Sequence, residues 1–283
     1  MGVDKVGNMP GRFAMNTGTF TLQSVDFLRL VQAISRAGFT GIDLRDNHIQ
    51  EYIQMGHSIQ EMRNLLKEYQ LHPVAINSLR DWQNWGNKKK EEYRTFIEQY
   101  FNESKGIGCD CVICCAFAEE GDRERDVRYF KEICTIAKSY DIRIALEFLP
   151  WAELRDIKMA WEVVRRANCS NGGILVDSFH FFKGGSKIDD LREVPTEKIF
   201  LVHLDDAPDL PIHSKEMCMN HRVFPGEGIF PFDQILNVLI SEKGYLDWVS
   251  LEVLNKDNQR VDYGELAKKG RRSLEKIFRY KGL

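Results

Sequence analysis

Four segments rich in β-branched and aliphatic residues each carry one metal-binding side chain close to their C-terminal end. These side chains are Glu147 in IRIALEF, Asp177 in GGILVDSFH, His203 in KIFLVHL and Glu252 in DWVSLEV. Three carboxylates and one imidazole suit a divalent ion such as Zn²⁺, Mn²⁺, Co²⁺ or Mg²⁺, and the lack of a thiolate disfavours a structural zinc site. Any one of them alone is more often a salt-bridge partner or a packed polar residue. Together they predict one metal ion, which would keep three neighbouring carboxylates ionised.

The segments that would position these residues alternate between strand-like and helix-like patterns. Strands are predicted at 12–16, 37–45, 71–77, 109–117, 142–148, 172–179, 198–204 and 247–253. Helices are predicted near 24–37, 58–69, 89–105, 125–140, 157–167, 188, 232–242 and 263–280. Eight such units without a linker predict an α/β fold, a single (β/α)8 TIM barrel over residues 1–283, whose C-terminal strand ends meet at one mouth. An open doubly wound sheet is disfavoured because neither MNTGTF nor AGFTG supplies a GxGxxG fingerprint.

Composition and charge narrow the classes of partner. The chain is 43% hydrophobic and 29% charged, which excludes disordered and fibrous classes. A formal net charge of −3 and a pI near 6.2 give no general attraction to phosphate backbones, so we expect no nucleic-acid partner. The start, MGVDKVGNMPGRF, lacks a signal-peptide core, and no later run reaches the roughly 18 apolar residues that span a bilayer. We therefore expect no membrane partner and a cytoplasmic location.

Seven cysteines, four of them crowded at Cys109, Cys111, Cys114 and Cys115, do not form the pattern of a disulfide framework. We expect reduced thiols. The Cys111/Cys114 pair has CxxC spacing, which leaves a redox or zinc site open. The surrounding CDCVICCAFA favours a buried strand in which cysteine is a small hydrophobic residue.

The sequence motifs around the predicted ligands resemble a known family. LEFLP, VDSFHFF, HLDD, HRVFPGEG and SLEV are similar to the xylose-isomerase-like superfamily of sugar isomerases and epimerases, and within it to the inosose isomerases of inositol catabolism. The resemblance implies that the four ligands hold one divalent ion and that Glu147 and Glu252 also act as acid and base. It implies further that His180, Arg222 and a glutamate six residues after the first ligand, Glu153, bind substrate.

A site of this kind can transfer protons beside a ketone. A small polyhydroxy ketone, such as an inosose or ketose, would bind the metal through its carbonyl and adjacent hydroxyl oxygens, which acidifies the C–H between them and gives a metal-bound enediolate. Glu147 and Glu252 would remove and return the proton, and Arg222 would stabilise the oxyanion. Arg222 paired with Glu227 and a structural His180 remain alternatives.

Several neighbours of the predicted ligands also have expected positions. Asp205 and Asp206 follow His203 and are interpreted as acceptors that orient its ring, with an N-cap or a solvated loop acid as the alternative for one of them. Five aromatic side chains are expected on the same side of the barrel, where they would form flat walls of a substrate pocket or anchor loops: Trp82, Trp85, Trp151, Phe179 and Phe224. The Gly-rich KGGS and PGEG segments would let the backbone approach the mouth closely.

Three other functions compete with an isomerase or epimerase. A 3-dehydroshikimate-type dehydratase would use the same metal site, because proton removal beside a ketone can be followed by loss of a β-hydroxyl group. An abasic-site nuclease would need a histidine-rich mouth and basic loops, which seven histidines in all and an acidic pI disfavour. A barrel that binds metal without catalysis is disfavoured by Arg222 and the complete ligand set. A homo-oligomer is compatible with the sequence.

Overall fold

Eight parallel strands close into a barrel in the computed structural model, which describes residues 12–87, 90–211 and 213–279. The strands are β1 (Phe13–Asn16), β2 (Gly41–Arg45), β3 (His72–Leu79), β4 (Cys111–Cys115), β5 (Arg143–Glu147), β6 (Gly172–Asp177), β7 (Ile199–Leu204) and β8 (Val249–Leu251). They pair in chain order, and β8 pairs with β1. The predicted (β/α)8 barrel is confirmed.

Helices surround the barrel. They are α1 (Phe27–Arg36), α2 (Asp46–Gln54), α3 (Ile59–Glu68), α4 (Lys90–Ile107), α5 (Arg123–Lys138), α6 (Ile157–Ala167), α7 (Ser178–Lys183), α8 (Ile188–Glu193), α9 (Ser214–Asn220), α10 (Phe232–Leu236) and α11 (Tyr263–Arg279). Side chains of Asp26, Ser58, Asp122 and Asp156 accept backbone N–H groups where α1, α3, α5 and α6 begin, which satisfies donors that the helix itself leaves open. None of the described helices is both long and apolar enough to span a bilayer.

The structure adds helices that the sequence pattern did not predict. In α2, only His48 and Ile49 are buried, so its apolar stripe is too narrow to stand out. In α7, six residues follow β6 directly, and a helix this short shows no clear period. The predicted helix at 232–242 is α10 followed by a π-helical segment, Asn237–Glu242.

The core has two layers, one inside the barrel and one between the strands and the helices. In β4, Cys111 and Cys115 pack in the inner layer, whereas Cys114 packs in the outer one, as does Cys109 just before the strand. Residues three apart on a strand point to opposite faces, so Cys111 and Cys114 do not form a CxxC site. All seven cysteines are free thiols, as expected.

Strand register brings the predicted ligands to one level at the mouth. Cys115 pairs with Glu147 between β4 and β5, and Asp177 pairs with His203 between β6 and β7. His203 pairs in turn with Ser250 of β8, and Glu252 is the first residue after that strand. The closed barrel therefore places ligands from four successive strands at the C-terminal end, where TIM barrels carry their active sites.

Candidate metal centre

The structure brings Glu147, Asp177, His203 and Glu252 into one buried cluster. One ligand atom from each lies within 4.8 Å of the others. Asp177 and His203 are fully buried, and Glu147 and Glu252 are 3% and 2% exposed. Three carboxylates this close without water or a cation would repel one another strongly. The arrangement is therefore chemically suited to a divalent cation.

The imidazole of His203 is aimed into the cluster by an acid that the sequence pattern did not reveal. Its Nε2 lies 2.7 Å from Asp43 Oδ2, and its Nδ1 lies 3.8 Å from Asp177 Oδ2 and 3.5 Å from Glu252 Oε2. Nδ1 has no hydrogen-bond partner within the described residues, as expected of a nitrogen that can ligate a metal. A carboxylate behind a ligating histidine fixes the ring and raises its basicity. Asp43 is a lone acid in the otherwise apolar centre of β2, and that was its only sequence signal.

The two acids after His203 have other partners. Within the described residues, neither Asp205 nor Asp206 makes a hydrogen bond or ion pair with His203, so the interpretation that they orient its ring is wrong. Asp206 accepts backbone N–H groups from Ala207, Gly226, Gly228 and Phe230, and thereby organises the PGEG loop. A Cβ at Gly228 would lie 2.4 Å from Asp206 Oδ1, so this turn requires glycine.

Arg222 is a buried hub of the cluster, not an exposed loop residue. It is 1% exposed, and its Nη1 donates to Asp177 Oδ2 at 2.9 Å and to Asp205 Oδ2. The same nitrogen lies 3.4 Å from Glu252 Oε2. The guanidinium also lies over the ring of Phe179, 4.9 Å from its centroid. Glu227 pairs with Lys269, so the alternative that it pairs with Arg222 is not observed.

His180 lies beside the cluster, whereas Glu153 lies apart from it. His180 Nε2 is 3.6 Å from Glu147 Oε1 and 3.3 Å from Arg222 Nη2. Burial lowers the pKa of His180 to about 4, which makes it a neutral hydrogen-bonding group near pH 7. Glu153 pairs with Arg123 at 2.9 Å and is not among the described residues that line the cavity at the mouth. The structure thus brings His180, but not Glu153, to the cluster.

Among the five aromatic residues considered, only Trp151 lines the cavity. Trp82 and Trp85 are fully buried in the core. Phe179 packs under Arg222, and Phe224 packs near Lys269. For these four residues, core packing or anchoring is the observed role.

A cavity of about 210 Å³ opens over the cluster. Its walls include the glutamates of the cluster and several polar and apolar side chains: Arg45, Asn77, Ser78, Arg80, Cys115, Phe117, Glu147, Leu149, Trp151, His180, Lys215, Cys218, Met219, Arg222, Glu252 and Leu254. Pockets for drug-sized ligands are larger, on the order of 300–1,000 Å³. The cavity therefore suits a small molecule that can hydrogen-bond on several sides.

The ionisable side chains of the cluster have pKa values that are shifted in different directions. Burial and the charges of Glu252 and Asp177 raise the pKa of Glu147 to about 8. Burial also opposes ionisation of Glu252 and Asp177. The charges of His203 and Arg222 outweigh burial at Glu252, and the charge of Arg222 outweighs it at Asp177. The pKa of each of these two carboxyls is therefore lowered. Burial disfavours charge on His203, yet Asp43 and Glu252 raise its pKa well above the usual range. In the metal-free protein, protons thus occupy the place of a cation.

The donor set fits a divalent ion on observations independent of charge. His203 Nδ1 and Glu147 Oε1 are both buried and have no hydrogen-bond partner within the described residues. Unsatisfied buried polar atoms are costly, so two that belong to residues of the same cluster favour a bound cation. One imidazole nitrogen and three carboxylate oxygens are ligands that Zn²⁺, Mn²⁺ and Co²⁺ accept.

Asp43→Asn should weaken divalent-metal binding about 10- to 100-fold, because the neutral amide no longer supports the basicity and orientation of His203. Calorimetric titration with Zn²⁺ or Co²⁺ would measure the change. Asp46→Asn is the matched control, since Asp46 is the next acid along the chain and pairs with Arg80 at 3.7 Å instead of contacting His203. Equal affinities for Asp43→Asn and wild type would remove Asp43 from the metal centre.

Metal affinity should rise as pH is raised toward about 8, the pKa of Glu147 in the metal-free protein. Below that pH, Glu147 holds a proton and His203 is charged, and both protons must leave before these side chains can bind a cation. Titrations in buffers of different ionisation enthalpy should show protons released on binding. An affinity that is constant or falls over this range would contradict the assignment of both residues as ligands.

Comparisons with known proteins agree with this geometry. The sequence profile of the xylose isomerase-like TIM barrel family matches residues 31–277. An inosose isomerase of Halalkalibacterium halodurans is 27% identical over 257 residues, which is 88% of this chain and 90% of that protein. A 3-dehydroshikimate dehydratase of Pseudomonas aeruginosa is 29% identical over 232 residues, 80% of this chain but 36% of that protein, so this chain spans about a third of its length.

A solved structure of IolI protein with a bound zinc atom superposes with a TM-score of 0.83. It is 25% identical to this chain, and the match covers 94% of this chain and 97% of that one. The likeness therefore extends over the whole barrel. Taken with the match of the family profile to most of the sequence, it shows that this chain belongs to the xylose isomerase-like TIM barrel family.

Proposed function

We propose that this protein is a divalent-metal-dependent isomerase or epimerase that acts on a small polyhydroxy ketone, an inosose or a ketose, by proton transfer. The observation that carries the proposal is the buried cluster of Glu147, Asp177, His203 and Glu252, whose two glutamates line the cavity. Zinc in a structural relative and inosose isomerase activity in the name of a sequence relative support the same choice. The ion could be Zn²⁺, Mn²⁺, Co²⁺ or Mg²⁺.

Four polar residues that line the cavity have a place in this reaction, namely Glu147, His180, Arg222 and Glu252. A divalent ion bound to the cluster would supply the positive charge that acidifies a C–H beside a substrate carbonyl. Glu147 and Glu252 approach from β5 and β8 and would remove and return the proton. Neutral His180 would hydrogen-bond a substrate hydroxyl, and Arg222 would face the oxygen on which negative charge develops. Glu153 remains a predicted substrate contact only if the loop after β5 rearranges around the ligand, since it now pairs with Arg123.

A dehydratase of the 3-dehydroshikimate type is the second candidate. The Pseudomonas aeruginosa relative carries that name, and removal of the same proton begins both reactions. The cationic side chains of Arg45, Arg80 and Lys215 at the cavity would tolerate a carboxylate-bearing substrate. The two functions differ in the fate of the carbanion, which is either reprotonated or loses a β-hydroxyl group.

A substrate panel separates these functions. Purified protein would be loaded with Zn²⁺, Mn²⁺, Co²⁺ or Mg²⁺ and incubated in D₂O with inososes, ketoses and 3-dehydroshikimate. We expect an isomeric product that carries solvent deuterium, and loss of both signals with a chelator. An aromatic product formed from 3-dehydroshikimate by loss of water, with no product from the inososes or ketoses, would establish the dehydratase instead. Turnover that persists after the metal is removed would contradict both.

Other properties stay predictions. A cytoplasmic location and one domain over residues 1–283 are expected from the sequence, and a homo-oligomer is compatible with it. The proposed partner is a small molecule, and neither nucleic acid nor a membrane has a part in the proposed reaction.

A further inference from the structure

The two oxygens of Glu252 have different surroundings. Oε2 faces the cluster, 3.5 Å from His203 Nδ1. Oε1 points to the opposite side, where it accepts hydrogen bonds from Asn77 Nδ2 at 2.9 Å and Arg45 Nη1 at 3.3 Å. One oxygen is thus held by β2 and β3, and the other faces the cluster, where its neighbours are His203 and Arg222.

Glu147 has the same division with a different partner. Its Oε2 accepts a hydrogen bond from the thiol of Cys115 at 2.6 Å. Its Oε1 has no hydrogen-bond partner within the described residues and lies 3.6 Å from His180 Nε2. Cys115 and Glu147 are register partners at the ends of β4 and β5, so the strand pairing itself brings the thiol to the carboxylate.

A chain of side chains connects the two glutamates. Cys115 Sγ, which donates to Glu147, also lies 3.9 Å from Asn77 Oδ1, and the amide nitrogen of Asn77 donates to Glu252. Asn77 and Cys115 are each 3% exposed, and both line the cavity. Neither is needed to complete the four-ligand cluster. Their hydrogen bonds instead fix which oxygen of each glutamate points inward.

We propose that Asn77 and Cys115 are positioning residues that set the orientation of Glu252 and Glu147 for proton transfer. This inference rests on the proposed function, in which both glutamates exchange protons with the substrate. A carboxylate that can rotate spends less time in the reactive geometry, and a displacement of about 1 Å can cost on the order of 10²-fold in rate. Loss of either contact should therefore lower kcat more than it weakens substrate binding.

Cys115→Ala and Asn77→Ala test the proposal, with Cys115→Ser as the conservative variant. We expect kcat to fall about 10- to 100-fold in both alanine variants while KM changes little, and Cys115→Ser to recover much of the loss because a hydroxyl can donate to Glu147. The two variants free different glutamates, so the ratio of α-proton exchange to product formation should move in opposite directions. Cys114→Ala is the matched control, since Cys114 is fully buried on the other face of β4.

The visible absorption spectrum of the Co²⁺-loaded protein gives a second readout that does not depend on turnover. A freed glutamate should change the ligand field, so Cys115→Ala and Asn77→Ala should shift the Co²⁺ bands, whereas Cys114→Ala should match wild type. Wild-type ratios and spectra in both variants would overturn the inference. If wild type binds Co²⁺ but converts no substrate of the panel, the proposed function is wrong. The Co²⁺ spectra still show whether Asn77 and Cys115 orient the two glutamates. Failure of wild type to bind Co²⁺ would overturn both.

Discussion

Replacing the base, Glu147 or Glu252, by glutamine should reduce exchange of the substrate α-proton with solvent about 10²- to 10⁴-fold, because an amide cannot accept that proton. Each glutamate supplies one cluster oxygen, so we expect metal binding to weaken only partly. NMR in D₂O at saturating metal would follow the exchange. Glu162→Gln is the control and should behave as wild type, since the Glu162 side chain in α6 is 41% exposed and pairs with Arg166.

The two glutamine variants should differ in their effects on proton exchange and on product formation. Glu252 is held by cationic Arg45 and neutral Asn77, whereas Glu147 contacts the neutral thiol of Cys115. The variant at the base should stop exchange, and the variant at the acid should leave exchange but slow product formation. Wild-type exchange in both variants would show that the base lies elsewhere and that the glutamates serve only the metal.

Arg222→Ala should lower the free energy of unfolding by about 3–5 kcal/mol, because removal of one partner leaves buried acids without their counter-charge. The acids concerned are Asp177 and Asp205, both fully buried. Urea or thermal unfolding of the metal-free protein would measure the loss. A loop arginine at the surface would instead cost little, since surface substitutions are usually within about 0.5 kcal/mol.

A double variant makes this prediction specific. Asp205→Asn removes one of the charges that Arg222 neutralises, so Arg222→Ala/Asp205→Asn should be more stable than Arg222→Ala alone. Burial raises the pKa of Asp205 and the charge of Arg222 lowers it, so loss of Arg222 should favour ionisation of Asp205 still less. If the two substitutions destabilise additively, the ion pair does not carry the stability of the site.

The sequence predicted the fold and the cluster for the same physical reason. Parallel strands buried on both faces appear as continuous apolar runs, and a carboxylate or imidazole at the end of such a run is conspicuous. Four such residues on neighbouring strands need only barrel closure to meet, and β5 to β8 are neighbours in the chain order.

The residues that support the cluster had no comparable signal. Asp43, Asn77 and Cys115 lie on β2, β3 and β4, and reach His203 and the glutamates through the interior of the closed barrel. In a short strand, the sequence does not distinguish a polar residue that faces solvent from one that faces the barrel interior. Cys115 has the sequence pattern of a small hydrophobic residue. Only the three-dimensional register shows which side chain points inward.

The partners of the two acids in the loop after β7 had no sequence signal either. HLDD suggested acids that orient His203, but Asp205 meets Arg222 and Asp206 caps the backbone of the PGEG turn. Partners that lie many residues away in a loop follow no periodic pattern. Their identity depends on the path of the loop, which the strand and helix patterns do not determine.

Anomalous diffraction from crystals loaded with Zn²⁺ or Co²⁺ would show whether these four side chains hold one divalent ion. We predict one anomalous peak per chain, at about 2.0–2.2 Å from oxygens of Glu147, Asp177 and Glu252 and from Nδ1 of His203. The same crystals of His203→Ala should lose the peak. A peak elsewhere in the molecule, or none between these four residues at saturating metal, would contradict their assignment as the metal ligands.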